Sequence, residues 1–195
     1  SLELNFSYLT NLTDSALIPL FASFKELSGL KSFKFDGFSL KNIMDPGLKA
    51  FGEFIERLKL LEKLYLKVGE SSKFSIAPPH EEFGCLVSAL KNKPNLRELN
   101  FRIYDFRSTF SDKNILEFCS AVAQMENLET VLFGLAGSPM TQYSQEAIDE
   151  LARNLKGLRK LKTVELSFEG RSLVQVNLTK FLNDTKKIPN VKIIA

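Results

Sequence analysis

The sequence predicts an α/β repeat: short parallel strands, each followed by a helix, stacked in one direction. Three observations carry this. A phrase of one apolar residue, two variable, one apolar, one variable and one apolar recurs at Leu30-Lys-Ser-Phe-Lys-Phe, Leu61-Glu-Lys-Leu-Tyr-Leu, Leu96-Arg-Glu-Leu-Asn-Phe, Leu128-Glu-Thr-Val-Leu-Phe and Leu161-Lys-Thr-Val-Glu-Leu. Residues 1–6 fit with Leu4 and Phe6 in place, and Val191-Lys-Ile-Ile194 begins the phrase again. Starts at 1, 30, 61, 96, 128, 161 and 191 are separated by 29, 31, 35, 32, 33 and 30 residues, a period typical of stacked supersecondary units. Between the phrases runs a helical periodicity tied to the same count.

The strand part of each phrase alternates with period 2, so its apolar residues share one face and its variable residues the other. The helices follow from counting back from each next start. Thirteen earlier stand Leu17, Leu48, Phe83, Ile115, Ile148 and Leu178; ten earlier, Leu20, Phe51, Leu86, Phe118, Leu151 and Phe181. Six earlier stand Phe24, Ile55, Leu90, Val122 and Leu155, then Thr185 as the exception. That i, i+3, i+7 stripe is the apolar face of an amphipathic helix. A fourth column, nine earlier, holds Phe21, Gly52, Val87, Cys119, Ala152 and Leu182.

Helix ends agree with the columns. Asp45-Pro46 reads as an N-cap followed by Pro at the first helical position, and Ser111 and Ser144 are candidate caps. Gly29, Pro94, Gly157 and Pro189 stand where helices should stop. Each helix aligns to the strand after it, so length variation is expected in the strand-to-helix loops, the longest being 69–82, 102–112 and 134–144. All three fall on one rim, where repeat proteins often place binding insertions.

Strand, loop and helix at this period resemble leucine-rich repeats of the long, ribonuclease-inhibitor-like type. The resemblance spans the chain as a single domain, 1–195, of about six repeats, and implies a curved solenoid. Strands about 4.8 Å apart and helices about 8–10 Å apart would bend the stack, placing the sheet on a concave side and the helices on a convex one. The sequence departs from that family where an Asn or Cys ladder is usual: those positions hold Leu9, Phe38, Gly69, Tyr104, Ala136 and Glu169.

Composition excludes several classes. The balance of 26 basic against 23 acidic residues gives a net charge of +3, too small to argue for nucleic acid. No apolar run approaches the roughly 18 residues that cross a bilayer. The chain opens inside a strand phrase, with no initiator Met or signal peptide, and is expected to be a piece of a longer protein in the cytoplasm. Two cysteines make no disulfide framework. Asn-x-Ser/Thr at Asn5, Asn11, Asn177 and Asn183 would matter only in a secreted protein.

Catalytic and cofactor motifs are missing: no phosphate-binding Gly loop, no nucleophile elbow and no His-Glu-x-x-His. His80 is the sole histidine and reads as an exposed first-turn residue beside Glu81 and Glu82, which face the helix dipole. Cys119 falls in a core column, and Cys85 falls in a column read as facing outward, so the thiols are not expected to meet. An enzyme, a metal and a cofactor are therefore not expected.

The informative surface is the variable strand face. Lys34, Lys63, Lys67 and Arg102, with Arg97 at the margin and Asn100 among them, form a basic zone around Tyr65. A protein partner, with an acidic segment, suits such a zone because the aromatic supplies contact area and the charges steer encounter. Glu62, Glu98 and Asp36 dilute it into an ordinary solvated surface on the blander reading. Leu132 and Leu135 mark a second, apolar spot. The expected function is thus a non-enzymatic interaction scaffold using the concave face and the loop rim. The resemblance also implies two alternatives, a small-GTPase regulator and a ubiquitin-ligase substrate receptor, and allows cytoskeletal or ciliary association. Small-molecule, nucleic-acid and membrane partners are not expected, and both array ends are expected to be covered by further chain or another subunit.

Overall fold

Period-2 alternation in the strand phrases becomes a parallel sheet with one apolar face. The computed structural model describes residues 1–38, 40, 42–69, 83–104, 111–136, 143–169 and 177–194. Strands β1 (Leu2–Asn5), β2 (Ser32–Phe38), β3 (Lys63–Gly69), β4 (Glu98–Tyr104), β5 (Thr130–Ala136), β6 (Thr163–Glu169) and β7 (Asn190–Ile194) lie side by side in chain order. Each neighbouring pair is parallel. Between them run α1 (Asp14–Ser23), α2 (Asp45–Arg57), α3 (Phe83–Ser88), α4 (Asp112–Val122), α5 (Gln145–Gly157) and α6 (Leu178–Asp184).

The predicted helix columns pack on the apolar strand rows to form one continuous core. Phe replaces Leu at many of these positions and fills the layer by ring stacking: Phe21 on Phe51 at 4.8 Å and Phe118 on Phe133 at 4.0 Å between centroids. Such pairs contribute about 0.5–1.5 kcal/mol beyond area burial.

The curvature expected from the sequence is not present. The sheet is flat, so there is no concave side, and the leucine-rich-repeat solenoid assignment does not hold; a parallel β–α repeat does. The reason lies in the helix layer. Bending follows only when helices hold the units apart more than strands do. One helix contact is made by a small residue: a Cβ built on Gly52 would come within 3.2 Å of Cys85. Two of the helices, α3 and α6, are only 6 and 7 residues long. A helix layer this thin at two of its units, and close-packed at Gly52, gives the sheet less cause to curl there. Scaffold readings built on a concave face, with the GTPase and ubiquitin-ligase alternatives drawn from the resemblance, lose their footing with the shape.

Strand register differs from the expected starts at both edges. Leu2 and Leu4 pair with Phe33 and Phe35, so β1 sits two residues earlier in the phrase than the fit to Leu4 and Phe6. A slip of two leaves the faces unchanged. At the other edge Asn190 pairs with Thr163 and Val191 with Val164. The phrase therefore begins at the buried Ile188, not at 191; the turn from α6 to β7 keeps five residues, 185–189, as do 58–62 and 158–162, while α6 itself has only 7 residues against 13 in α5. Thr185, the exception in its column, is fully buried and donates its hydroxyl to the Phe181 carbonyl at 2.9 Å.

Capping follows the sequence with one shift. Ser111 and Asn114 form a capping box, and Ser144 accepts from the Ala147 N–H at 3.1 Å. In α2, Asp45 is already helical, and the Met44 N–H is taken by Asp14 Oδ1 at 2.9 Å from the preceding unit. Gly47 is needed there, because a Cβ would strike that carboxylate. Cys85 does not face outward: it is half-buried, its thiol directed to the Leu48 carbonyl at 3.4 Å. Cys119 is buried, and burial pushes its thiol up to about 12.

Candidate functional site

With one side of the sheet under the helices, the opposite side is the open surface. Its rows are read across the strands: Glu3, Lys34, Tyr65, Asn100, Leu132, Glu165 and Lys192, then Asn5, Asp36, Lys67, Arg102, Gly134, Ser167 and Ile194. The strand residues of the expected basic zone and Leu132 therefore share this face, while Arg97 lies just before β4 and Leu135 takes the register position of Ile103 and Phe168, out of step with these rows.

The structure does not gather their charges around Tyr65. Lys34 Nζ stands 5.5 Å from the Tyr65 ring centre but is bound to Glu3 at 2.5 Å, and that hydrogen bond raises its pKa. Lys63 pairs with Glu98 at 2.7 Å. Arg102 donates from Nε to Asn100 at 3.1 Å and from Nη2 to Glu165 at 3.0 Å, reaching across β5. That reach exists because Gly134 leaves the space; a Cβ there would meet Arg102 Cγ at 3.1 Å. Lys67 lies 4.0 Å from Asp36. Each of these cations has a carboxylate, so the face is a charge-paired lattice rather than a basic zone.

Arg97 belongs to a separate ladder at the strand entrances. Lys31, Glu62, Arg97, Glu129 and Lys162 alternate in sign, and their backbones are linked in the same order, Arg97 N–H to Glu62 O at 2.8 Å and Glu129 N–H to Arg97 O at 2.8 Å. Lys31 binds Glu62 at 3.0 Å and Lys162 binds Glu129 at 2.5 Å; these hydrogen bonds, with Arg97 adding its charge, lower both carboxyl pKa values. The alternation was readable one residue into each phrase.

An aromatic cluster lies at the C-terminal ends of the first strands. Phe38 and Tyr104, from β2 and β4, meet edge to face at 5.6 Å across the intervening β3. They can meet because Gly69 lies between them. Its φ is +140°, and a Cβ would overlap the Tyr104 carbonyl. Lys67, two residues earlier on β3, places its ammonium 4.5 Å from the Phe38 ring and 5.9 Å from the Tyr104 ring. Tyr8 extends the row, edge to face with Phe38 at 6.0 Å, and is 71% exposed. It holds a left-handed backbone (φ 65°), unusual for a tyrosine, and its N–H is tied to the Phe38 carbonyl at 2.9 Å. Asp36 fixes the base of the cluster, accepting from Ser7 Oγ at 2.6 Å and the Phe38 N–H at 3.2 Å.

Sequence reasoning placed Phe38, Gly69 and Tyr104 in one column but read that column only as a missing Asn ladder. Their parity with the variable strand positions was the signal for a shared surface. Of the apolar spot, Leu132 is on the open face and half-buried. His80, Glu81 and Glu82, and most of the loops 69–82, 102–112 and 134–144, lie outside the described residues. Among the described residues, no group of three or more His, Cys, Asp or Glu side chains is placed to hold a metal ion, and no helix is long and apolar enough to cross a membrane. Compared with known proteins, the chain matches no family and no curated protein.

Proposed function

We propose that this chain is a binding module without catalysis of its own, docking a protein partner flat against the open face at Tyr8, Phe38 and Tyr104. The observation that supports it is the Phe38–Tyr104 contact across a side-chain-free Gly69, with the Lys67 ammonium against both rings. Aromatic rings are rigid, bury large areas and dominate binding energy where they cluster. A surface held by a strained Tyr8 and a Gly that tolerates no Cβ is more constrained than solvent exposure alone requires. The partner surface that fits is apolar at its centre, with a carboxylate near Lys67. The paired charges around the cluster favour specificity and register over affinity.

Affinity capture with the wild-type chain and with a Phe38→Ala/Tyr104→Ala double variant tests this. A specific partner should be retained by the wild type and lost from the double variant, while Lys31→Ala at the strand entrance keeps it. Equal retention by all three chains, or no partner above a bead control, would reject the proposal.

A further inference from the structure

We infer that the turns entering β6 and β7 are a docking surface for an anionic lipid membrane, on which the chain lies by one rim without crossing it. This concerns the rim where the strands begin and is independent of the aromatic cluster at their other ends.

The strands run parallel in chain order, so the helix-to-strand turns fall on one rim, and the flat sheet sets them in a straight line. Residues 156–162 and 185–189 include Lys156, Arg159, Lys160, Lys162, Lys186 and Lys187 and no acidic residue. All six are exposed. The whole chain carries only +3, so the remainder is net acidic and the basic charge is sorted onto this stretch of the rim. Glu126 in the turn before β5 and Asp184 at the end of α6 border it. On the open face each cation described has a carboxylate. Here Lys162 holds Glu129 and Lys160 donates to Asn127 Oδ1 at 2.6 Å, but among the described residues Lys156, Arg159, Lys186 and Lys187 form no ion pair. Unpaired cations held this close raise the local potential and draw in a surface of fixed negative charge.

Apolar residues on the same rim decide which polyanion fits. Leu60 is 50% exposed and Leu27 37% exposed, both in helix-to-strand turns. Leu60 follows the exposed Lys59 in the turn into β3, three strands, or about 14 Å, from β6. A leucine in such a turn gains nothing from a phosphate backbone. At a lipid surface it is buried at the boundary of headgroups and acyl chains, while lysine and arginine meet the anionic headgroups. A nucleic acid has less to hold: no aromatic residue stands in 25–31, 58–62, 89–97, 123–129, 156–162 or 185–189, so no ring is offered for a base to stack on. One straight rim thus combines charge attraction with apolar insertion, the two forces that hold a chain on a membrane surface.

Co-sedimentation of the 195-residue chain with vesicles tests it, using phosphatidylcholine alone and phosphatidylcholine with phosphatidylserine at about three to one. The chain should bind the mixed vesicles and not the neutral ones, and added salt should weaken the binding. Arg159→Gln/Lys186→Gln/Lys187→Gln should reduce it about a hundredfold, on the order of fivefold for each charge lost. Leu60→Ser should reduce it roughly fivefold by removing the inserted side chain. Lys49→Gln/Lys113→Gln, which removes two exposed cations from the helix layer, should leave it within about twofold. Circular dichroism confirms the fold of each variant. No binding to the mixed vesicles, equal binding to both kinds, or equal losses in the two sets of cation variants would overturn the inference. So would tighter binding to a DNA duplex than to the mixed vesicles, or a Leu60→Ser variant that binds like the wild type.

Discussion

On the helix-covered face of the sheet, every strand offers the same kind of residue to a row: Leu2, Phe33, Leu64, Leu99, Val131, Val164, Val191, and then Leu4, Phe35, Leu66, Phe101, Phe133, Leu166, Ile193. On the open face no row repeats. Order there comes from ion pairs between adjacent strands, such as Lys34 with Glu3 and Lys63 with Glu98, and from pairs that skip a strand, Phe38 with Tyr104 across Gly69 and Arg102 with Glu165 across Gly134. The first face is specified residue by residue, by burial alone. The second is specified by combinations, and those that skip a strand depend on a neighbour small enough to be reached across. The contrast separates what holds the fold from what distinguishes its surface.

Three substitutions sharpen the contrast, from the largest expected effect to the smallest. Phe133→Ala removes a ring packed against Phe101 at 6.2 Å and Phe118 at 4.0 Å. It should destabilise the chain by about 3–5 kcal/mol in chemical denaturation. A loss below ~1 kcal/mol would mean the layer is not close-packed there.

Gly69→Ala lies on the other face and alters no buried side chain, yet its φ of +140° and the Tyr104 carbonyl leave no place for a methyl group. A loss on the order of 2–3 kcal/mol is expected, together with a change in tyrosine fluorescence as the two rings part. An unchanged midpoint and spectrum would show that the glycine is not what lets them meet.

Lys93→Met concerns the polar intrusion in the apolar layer. Lys93 is buried in the column of Leu58, Met125 and Leu158, its ammonium donating to the Glu56 carbonyl at 3.1 Å. Burial lowers its pKa to about 8 from 10.5, with the Lys59 charge adding to the effect. The unfolded chain therefore holds the proton more tightly between those values. Wild-type stability should rise as pH climbs from about 8 to 10.5. At neutral pH the methionine variant should be more stable, by on the order of 1–2 kcal/mol, and should lack that rise. A methionine variant with the same pH profile as the wild type would place the titration elsewhere.

The sequence was most informative where one residue decides its own position. Strand parity and the helix columns needed only local spacing, so the covered face and the parallel order could be read directly. Curvature could not, because it depends on how closely helices approach, as at Gly52 against Cys85 of the next helix. The period says nothing of that distance. The register of the last strand was misplaced because α6 has only 7 residues against 13 in α5, so the phrase begins at Ile188 while the repeat period pointed to 191. On the open face Lys34, Lys63 and Arg102 were visible as a group, but their partners Glu3, Glu98 and Glu165 become neighbours only once the strands are paired.

Hydroxyl-radical footprinting of the chain alone and with a captured partner tests the docking surface most directly. Binding at the open face should protect Tyr8, Phe38 and Tyr104 together, while Leu116, 42% exposed on the helix layer, reacts as before. Protection of the helix layer, with the three rings as reactive as in the free chain, would contradict the account.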